Sequence, residues 1–429
     1  MGMNATTRRR PARRDTRRAA PAGRARPRIV IVGANFGGLA AAQHLGRSLD
    51  VTVVDRSPWF EWLPNIHELL SGTKRPGDLR LSRARLLRRA GHRFVRAEVS
   101  RVDGAAGCVE TARGRRIPFE ACIVAVGGVG ATFGVPGVER HAMRLDGVDD
   151  CVAIGRRLAA LSRQAKSRQV VIVGGGFEGV EALGEILRRS RRDSALRVQL
   201  IESGPRLLPG SPAAIDASIR AHCADLDVCI RTGTRVVAVT ARGVRLDSGA
   251  TLRSDLTIWT GGATAPPLLM ASGLAQRPGQ WAPVSAALQS RRHANVFVVG
   301  DAAGLARPLA KQAYYALQMG EHAAANVQRY LAGRRLRDFE PSVKPMLVAF
   351  GDLDTYLVAG RRVIASPALA AAKEGVLQLT MAQLDPPLGS AQLAGLMRRI
   401  GGTIDGLVLP QLGLGRLGGT RRRARRSPA

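Results

Sequence analysis

The chain has 429 residues, too many for one ordinary core, so two or three packed domains with room for a large cofactor are expected. A formal net charge of +32 invites a polyanion partner, but 60 of the basic residues are arginine against five lysines, a skew that codon bias in a GC-rich genome would produce. No run of 18 apolar residues suggests a spanning helix, and Cys108, Cys122, Cys151, Cys223 and Cys229 form no CxxC pair and no metal-ligand spacing.

Residues 1–27 carry Arg8, Arg9, Arg10, Arg13, Arg14, Arg17 and Arg18 without an apolar h-region, so they read as a disordered basic arm and not a secretory signal. Next comes RIVIVGANFGGLAAAQHLGRSLDVTVVD, an aliphatic strand, a glycine turn, an alanine-rich helix and a second strand closing in Asp55, 22 residues past Gly33. That order is a βαβ unit, and its turn nearly spells the GxGxxG fingerprint of a dinucleotide site. Gly33 and Gly38 fit, but Asn35 holds the middle position. Asparagine enters the left-handed region at modest cost, so Asn35 is expected to support the turn, its Cβ pushing a pyrophosphate outward, with Gly37 adding slack. In WFEWLPNIHELLSG, the aromatics Trp59, Phe60 and Trp62 suit either core packing or a pocket wall. Short alternating segments over Arg93–Phe119 lead to the apolar strand ACIVAV.

The second βαβ unit, QVVIVGGGFEGVEALGEILRRSRRDSALRVQLIE, has the full fingerprint at Gly174, Gly176 and Gly179, between a strand and a helix. Its glycines serve a tight turn, close approach of pyrophosphate and helix packing, and the helix dipole favours the anion. Glu202 ends the following strand, 28 residues past Gly174, and a carboxylate there accepts from ribose hydroxyls and repels a 2′-phosphate, favouring NADH over NADPH. Arg206 lies close enough in sequence to blur that preference. Alternating segments again follow, then LTIWTGGA and VFVVGDAAG, so one architecture occurs twice without a repeated sequence.

Taken together, CIVAVGG, FGVPGV, VIVGGGFEGVEALGEI, IWTGGATAPP and VFVVGDAAG resemble the two-dinucleotide-binding-domain FAD/NAD(P)H oxidoreductases over roughly Arg28–Leu331. Within them the chain is similar to the type II NADH:quinone oxidoreductases, with some sulfide:quinone oxidoreductase-like features. The fold expected is α/β, with two Rossmann-like three-layer ββα domains, the second inserted in the first, plus a small C-terminal region. Residues 28–145 and 255–338 would form the FAD-binding domain and 146–254 the NADH-binding domain, followed by 339–418 and a basic tail, 419–429.

The resemblance implies FAD on Gly33, Asn35, Phe36, Gly37, Gly38, Asp55, Arg56, Pro64, Val99, Ala125, Gly127, Gly300 and Asp301. It implies NADH on Gly174, Gly175, Gly176, Phe177, Glu178, Gly179, Glu202 and Gly262, with Glu185 near nicotinamide and flavin. It puts Lys311, Tyr314, Tyr315 and Gln318 at the acceptor, although type II members carry an Ala-Gln pair where the tyrosines stand. No redox CxxxxC follows the first helix, and no cysteine follows Cys229, which disfavours disulfide reduction and sulfide oxidation.

The function implied is an FAD-dependent NADH dehydrogenase passing electrons to a quinone. One alternative is a flavin reductase for a non-quinone protein or small molecule; another is a nucleotide-sensing or polyanion-binding protein without catalysis. QLAGLMRRIGGTIDGLVL puts Leu393, Leu396, Met397, Ile400, Ile404, Leu407 and Val408 on one helical face, suited to a membrane interface or to packing on the body or a second subunit as a homodimer. The basic ends suit an anionic membrane surface or an acidic protein, nucleic acid being disfavoured. The expected location is the cytoplasm or, peripherally, the cytoplasmic face of a bacterial inner membrane.

Overall fold

A computed structural model describes residues 25–164, 167–190 and 196–385. Its helices in chain order are α1 (Phe36–His44), α2 (Glu68–Ser71), α3 (Arg83–Ala90), α4 (Val138–His141), α5 (Val148–Ser162), α6 (Phe177–Ser190), α7 (Ala213–Cys223), α8 (Pro267–Ala271), α9 (Ala313–Leu331) and α10 (Leu369–Leu384). No described helix is long and apolar enough to cross a membrane.

Two five-stranded parallel sheets carry the architecture. The first runs in the order Val296–Val298, Ala121–Val124, Arg28–Val32, Asp50–Asp55, Arg93–Arg96. The second runs Ala142–Arg144, Leu256–Trp259, Arg168–Val173, Leu196–Ile201, Val228–Arg231. Their central strands are apolar on both faces because both are covered, one by helices and the other by an antiparallel ribbon, and Ile29, Ile31, Val170 and Ile172 have no solvent contact. Each sheet also has a three-stranded antiparallel appendage, Val99–Asp103 with Cys108–Thr111 and Arg116–Pro118, and Val236–Thr240 with Gly243–Leu246 and Thr251–Arg253. These are the alternating segments of the sequence.

The pairing shifts the expected domain limits. Ala142–Arg144 and Leu256–Trp259, assigned from sequence to the pieces 28–145 and 255–338, are strands of the second sheet. Antiparallel pairing of Val129–Gly130 with Ala263–Thr264 ties the two sheets together where the chain passes out and back.

Helix α9 returns to the first sheet and packs on α1 so closely that a Cβ at Gly320 would overlap the Gly37 carbonyl. Gly37 therefore serves helix packing and not slack. Beyond it, Met346–Phe350, Asp354–Ala359 and Arg362–Ala365 form an antiparallel sheet on which α10 rests. The segment Gln392–Leu409 and both basic ends lie outside the described residues.

Candidate functional site: two glycine turns on one cavity

Both glycine turns obey the same steric logic. At Gly33 (φ +92°) and Gly174 (φ +112°) the backbone is left-handed, and an added Cβ would strike the carbonyl ending the neighbouring strand, Ala125 or Thr260. At Gly38 and Gly179 a Cβ would overlap the carbonyl of Gly33 or Gly174, so the helix can start so near the strand only with glycine. Thr260 ties the second turn with Oγ1, which donates towards the Val173 and Gly174 carbonyls at 3.0 and 3.1 Å.

The middle positions differ. A Cβ on Gly176 meets nothing within 4 Å and would project into the cavity. Asn35 keeps its larger side chain in check by turning it sideways: Nδ2 donates to the Glu61 carbonyl and Oδ1 accepts from the Glu61 N–H, both at 3.1 Å. Its backbone (φ −92°, ψ −148°) is not left-handed, contrary to the sequence expectation, so the side chain and not a special φ accommodates it. Helix α1 starts there with no side-chain cap and no acid in its first turn, leaving free N–H groups and the positive end of its dipole.

Each following acid braces its turn. Asp55 accepts from the Ala34 N–H (2.8 Å) and Ser57 N–H (2.9 Å) and pairs with Arg83 at 2.6 Å. Arg83 is buried and also donates to the Ala34 and Ser57 carbonyls, so it fixes this corner from below, a role hidden in a sequence crowded with arginines. Glu202 accepts from the N–H groups of Gly175 and Gly204, both at 2.6 Å. Arg206 turns its guanidinium to the Leu207, Leu208 and Pro209 carbonyls.

One cavity of about 2430 Å³ opens across both turns, against roughly 300–1,000 Å³ for a single drug-sized ligand. From the first set it is bordered by Gly33, Asn35, Phe36, Gly37, Asp55, Arg56, Pro64, Val99, Ala125, Gly127, Gly300 and Asp301, with Gly38 packed behind. From the second set Gly176, Phe177, Glu178 and Gly262 reach it, while Gly174, Gly175, Gly179 and Glu202 form the turn beneath. The ribbon residues Val129, Gly130 and Ala263 stand where the two halves meet. Trp59 and Trp62 border the cavity, whereas Phe60 is wholly core, its ring 5.3 Å from that of Phe36.

The acceptor set divides. Lys311 and Tyr314 border the cavity; Tyr315 is buried under Tyr314, with ring centroids 4.1 Å apart, and Gln318 is bound to the backbone of Ser342.

Glu185 does not reach the cavity. It lies under α2, accepting from the Ser71 hydroxyl and from Arg188 (3.1 Å). Burial pushes its carboxyl up to about 7. An acid raised on folding binds extra protons in the native state, so its contribution to stability is full at low pH and is lost as pH rises towards 7. Glu185→Gln is therefore expected to flatten the loss of stability between pH 5 and 8 by on the order of 3 kcal/mol, read from denaturant melts. An identical pH slope in wild type and variant would rule this out.

The acids that do face the cavity from α6 are Glu178 and Glu181. Glu178 opens onto a recess shared with Asp146 and Glu181, and desolvation there, then those two charges, push it up to about 7. Glu181 is the hub of a closed network that sequence reading missed. Lys373 of α10 donates to its Oε1 at 2.6 Å, and Ala349 N–H to the same oxygen at 3.2 Å. His67 Nδ1 lies 3.3 Å from Oε2, and Lys373 Nζ lies 3.4 Å from His67 Nε2. Burial, with Lys373 and Arg188, holds His67 well below its usual range, so it is neutral, and the network fits the Nδ1–H tautomer. Burial raises the Glu181 carboxyl and Lys373 restrains the rise.

Duplicated parallel sheets, each with a glycine turn and a closing acid on one shared cavity, define a protein of the two-dinucleotide-domain class. The chain belongs to the pyridine nucleotide-disulphide oxidoreductase family, which matches residues 27–320. It is 26% identical over 344 residues to a type II NADH:quinone oxidoreductase of Staphylococcus epidermidis, covering 73% of this chain and 85% of that one. In fold it resembles NDH2 of Plasmodium falciparum solved with NADH (TM-score 0.74, 15% identity, 83% of this chain and 94% of that one). It also resembles the sulfide:quinone oxidoreductase of Aquifex aeolicus (TM-score 0.73, 18% identity, 86% and 95%).

Proposed function

We propose that the chain is an FAD-dependent NADH dehydrogenase that passes electrons to a quinone. The observation that carries this is the single cavity bordered by both glycine turns, whose inner ends converge on one ribbon. By strand order, the residues that would hold FAD follow one another from Asp55 past Gly33 and Ala125 to Asp301, and those that would hold NADH from Glu202 past Gly174 to Thr260 and Gly262. The residues fit the groups: Asn35 is turned aside, Gly176 leaves open space, and the Asp301 carboxyl faces the cavity, raised by burial, where it can meet hydroxyls of the FAD linker.

When bound, the flavin takes two electrons from NADH and releases them to the acceptor, and the protein supplies position and charge. Asp55 and Glu202 would hold ribose hydroxyls, and the first turns of α1 and α6 would hold pyrophosphates. Reducing a quinone also consumes two protons, one of them beyond the hydrogen that NADH delivers. Glu181, His67 and Lys373 are hydrogen-bonded to one another at the cavity wall and can pass a proton from Lys373 or Glu181 towards the acceptor. The face of α10 formed by Leu369, Ala372, Val376 and Leu379 gives the acceptor an apolar wall.

Sulfide as the electron source lacks support here, because four of the five cysteines are buried and no cysteine follows Cys229. Peripheral attachment to a membrane surface, where quinones reside, belongs to this proposal, as does dimerisation through the C-terminal region. Steady-state NADH oxidation by the purified chain tests the acceptor. Turnover with a short-chain quinone is expected to match or exceed that with ferricyanide; oxidation with ferricyanide alone would select a non-quinone acceptor.

A further inference from the structure

Lys311 is one of only five lysines in the chain, and it stands just before the first turn of α9. Its ammonium donates to the Asp301 carbonyl at 2.6 Å and lies 4.0 Å over the Trp281 ring. Trp281 is itself set against the ribbon: a Cβ at Gly128 would touch its ring at 3.2 Å and Ala263 at 3.3 Å. Both Lys311 and Trp281 border the cavity. A carbonyl and an aromatic face thus pin a cation beside the place where the two halves of the cavity meet. Partial desolvation lowers the Lys311 ammonium and Asp301 counters it.

The nineteen-residue helix α9 adds to this charge, since its first turn has no acid and no side-chain cap. The sheet order gives the direction. A dinucleotide with its adenosine at the end of Asp50–Asp55 and its pyrophosphate at the end of Arg28–Val32 would extend over Ala121–Val124 towards Val296–Val298, the strand that leads into Gly300, Asp301 and then Lys311.

Resting on the FAD reading above, we propose that Lys311 sets the reduction potential of the flavin: its ammonium, pinned between the Asp301 carbonyl and the Trp281 ring, faces the ring system at the inner end of the first site. A two-electron-reduced flavin carries negative charge at its pyrimidine end, and a fixed cation there favours the reduced over the oxidised form. The acceptor assignment implied by the resemblance gives Lys311 a different partner, the molecule that leaves, and not the group that stays.

Sulfite distinguishes these roles in the full-length holoprotein without NADH, acceptor or turnover. Its sulfur bonds to flavin N5, and the electron pair displaced settles at the pyrimidine end, so sulfite affinity reads the charge Lys311 supplies. Lys311→Met is expected to raise the sulfite Kd about tenfold or more, equivalent to a fall of about 30 mV for a two-electron couple, and Lys311→Arg to stay within about threefold of wild type. Midpoint potentials from dye-equilibration titrations are expected to follow the same order. Should Lys311→Met not retain flavin, Trp281→Leu, which frees the ammonium without removing it, is expected to weaken sulfite binding in the same titration. Unchanged sulfite affinity and potential in the flavin-bearing variants would overturn the proposal and leave the FAD reading intact. A wild-type protein without a flavin spectrum would overturn both.

Discussion

Gly176→Val is expected to purify as a folded, yellow protein whose KM for NADH is raised roughly a hundredfold, with little change in thermal stability. The reason is the open space beside that glycine: an added Cβ meets nothing within 4 Å beyond its chain neighbours, and its φ is not left-handed, so the new side chain extends into the cavity where a ligand would lie. Gly179, three residues on, is the contrasting position. Any Cβ there overlaps the Gly174 carbonyl, so its replacement damages the fold before it affects binding. Steady-state kinetics with NADH as the varied substrate, beside a melting curve, separate the two. A Gly176→Val protein with an unaltered KM would dissociate the second turn from NADH.

Glu181→Gln is expected to slow quinone-dependent turnover by about 10²–10³-fold while flavin reduction by NADH, followed by stopped flow, is slowed much less. The substitution keeps the shape but removes the ionisable carboxyl that stands between Lys373 and His67. Burial holds the Glu181 carboxyl above its ordinary range, with Lys373 opposing, so the acid keeps its proton to higher pH than a free glutamate. As a proton donor it supports turnover on the acid side, and the rate falls as pH rises through its shifted value; the amide variant is expected to lose that limb. A variant with normal quinone turnover and an unchanged pH profile would remove Glu181 from proton delivery.

The parts of this site that were legible in the sequence are the ones fixed by local sterics. Gly33, Gly38, Gly174 and Gly179 sit where the chain overlaps itself, and aliphatic runs such as Ile29–Val32 can only be buried strands. Asn35 is only half legible, because its tolerance depends on the backbone of Glu61, 26 residues away, and not on its own φ. Glu185, which the resemblance alone implies, shows the limit of a motif match. Glu178, Glu181 and Glu185 follow the i, i+3, i+7 spacing of one helical stripe, and spacing alone does not tell how far along that stripe the cavity extends. It ends after Glu181, where Ser71 at the end of α2 covers Glu185. His67 and Lys373 come together across 306 residues, a juxtaposition that only the packing of α10 creates. Strand membership of Ala142–Arg144 was equally hidden, since three residues carry no pattern.

Anaerobic absorption spectroscopy tests the central claim most directly: that two nucleotides bind in one cavity with their reactive ends together. The purified protein is expected to show a flavin band that bleaches on adding one equivalent of NADH and returns when a quinone is supplied. A colourless protein, or a flavin band that NADH leaves untouched, would contradict it.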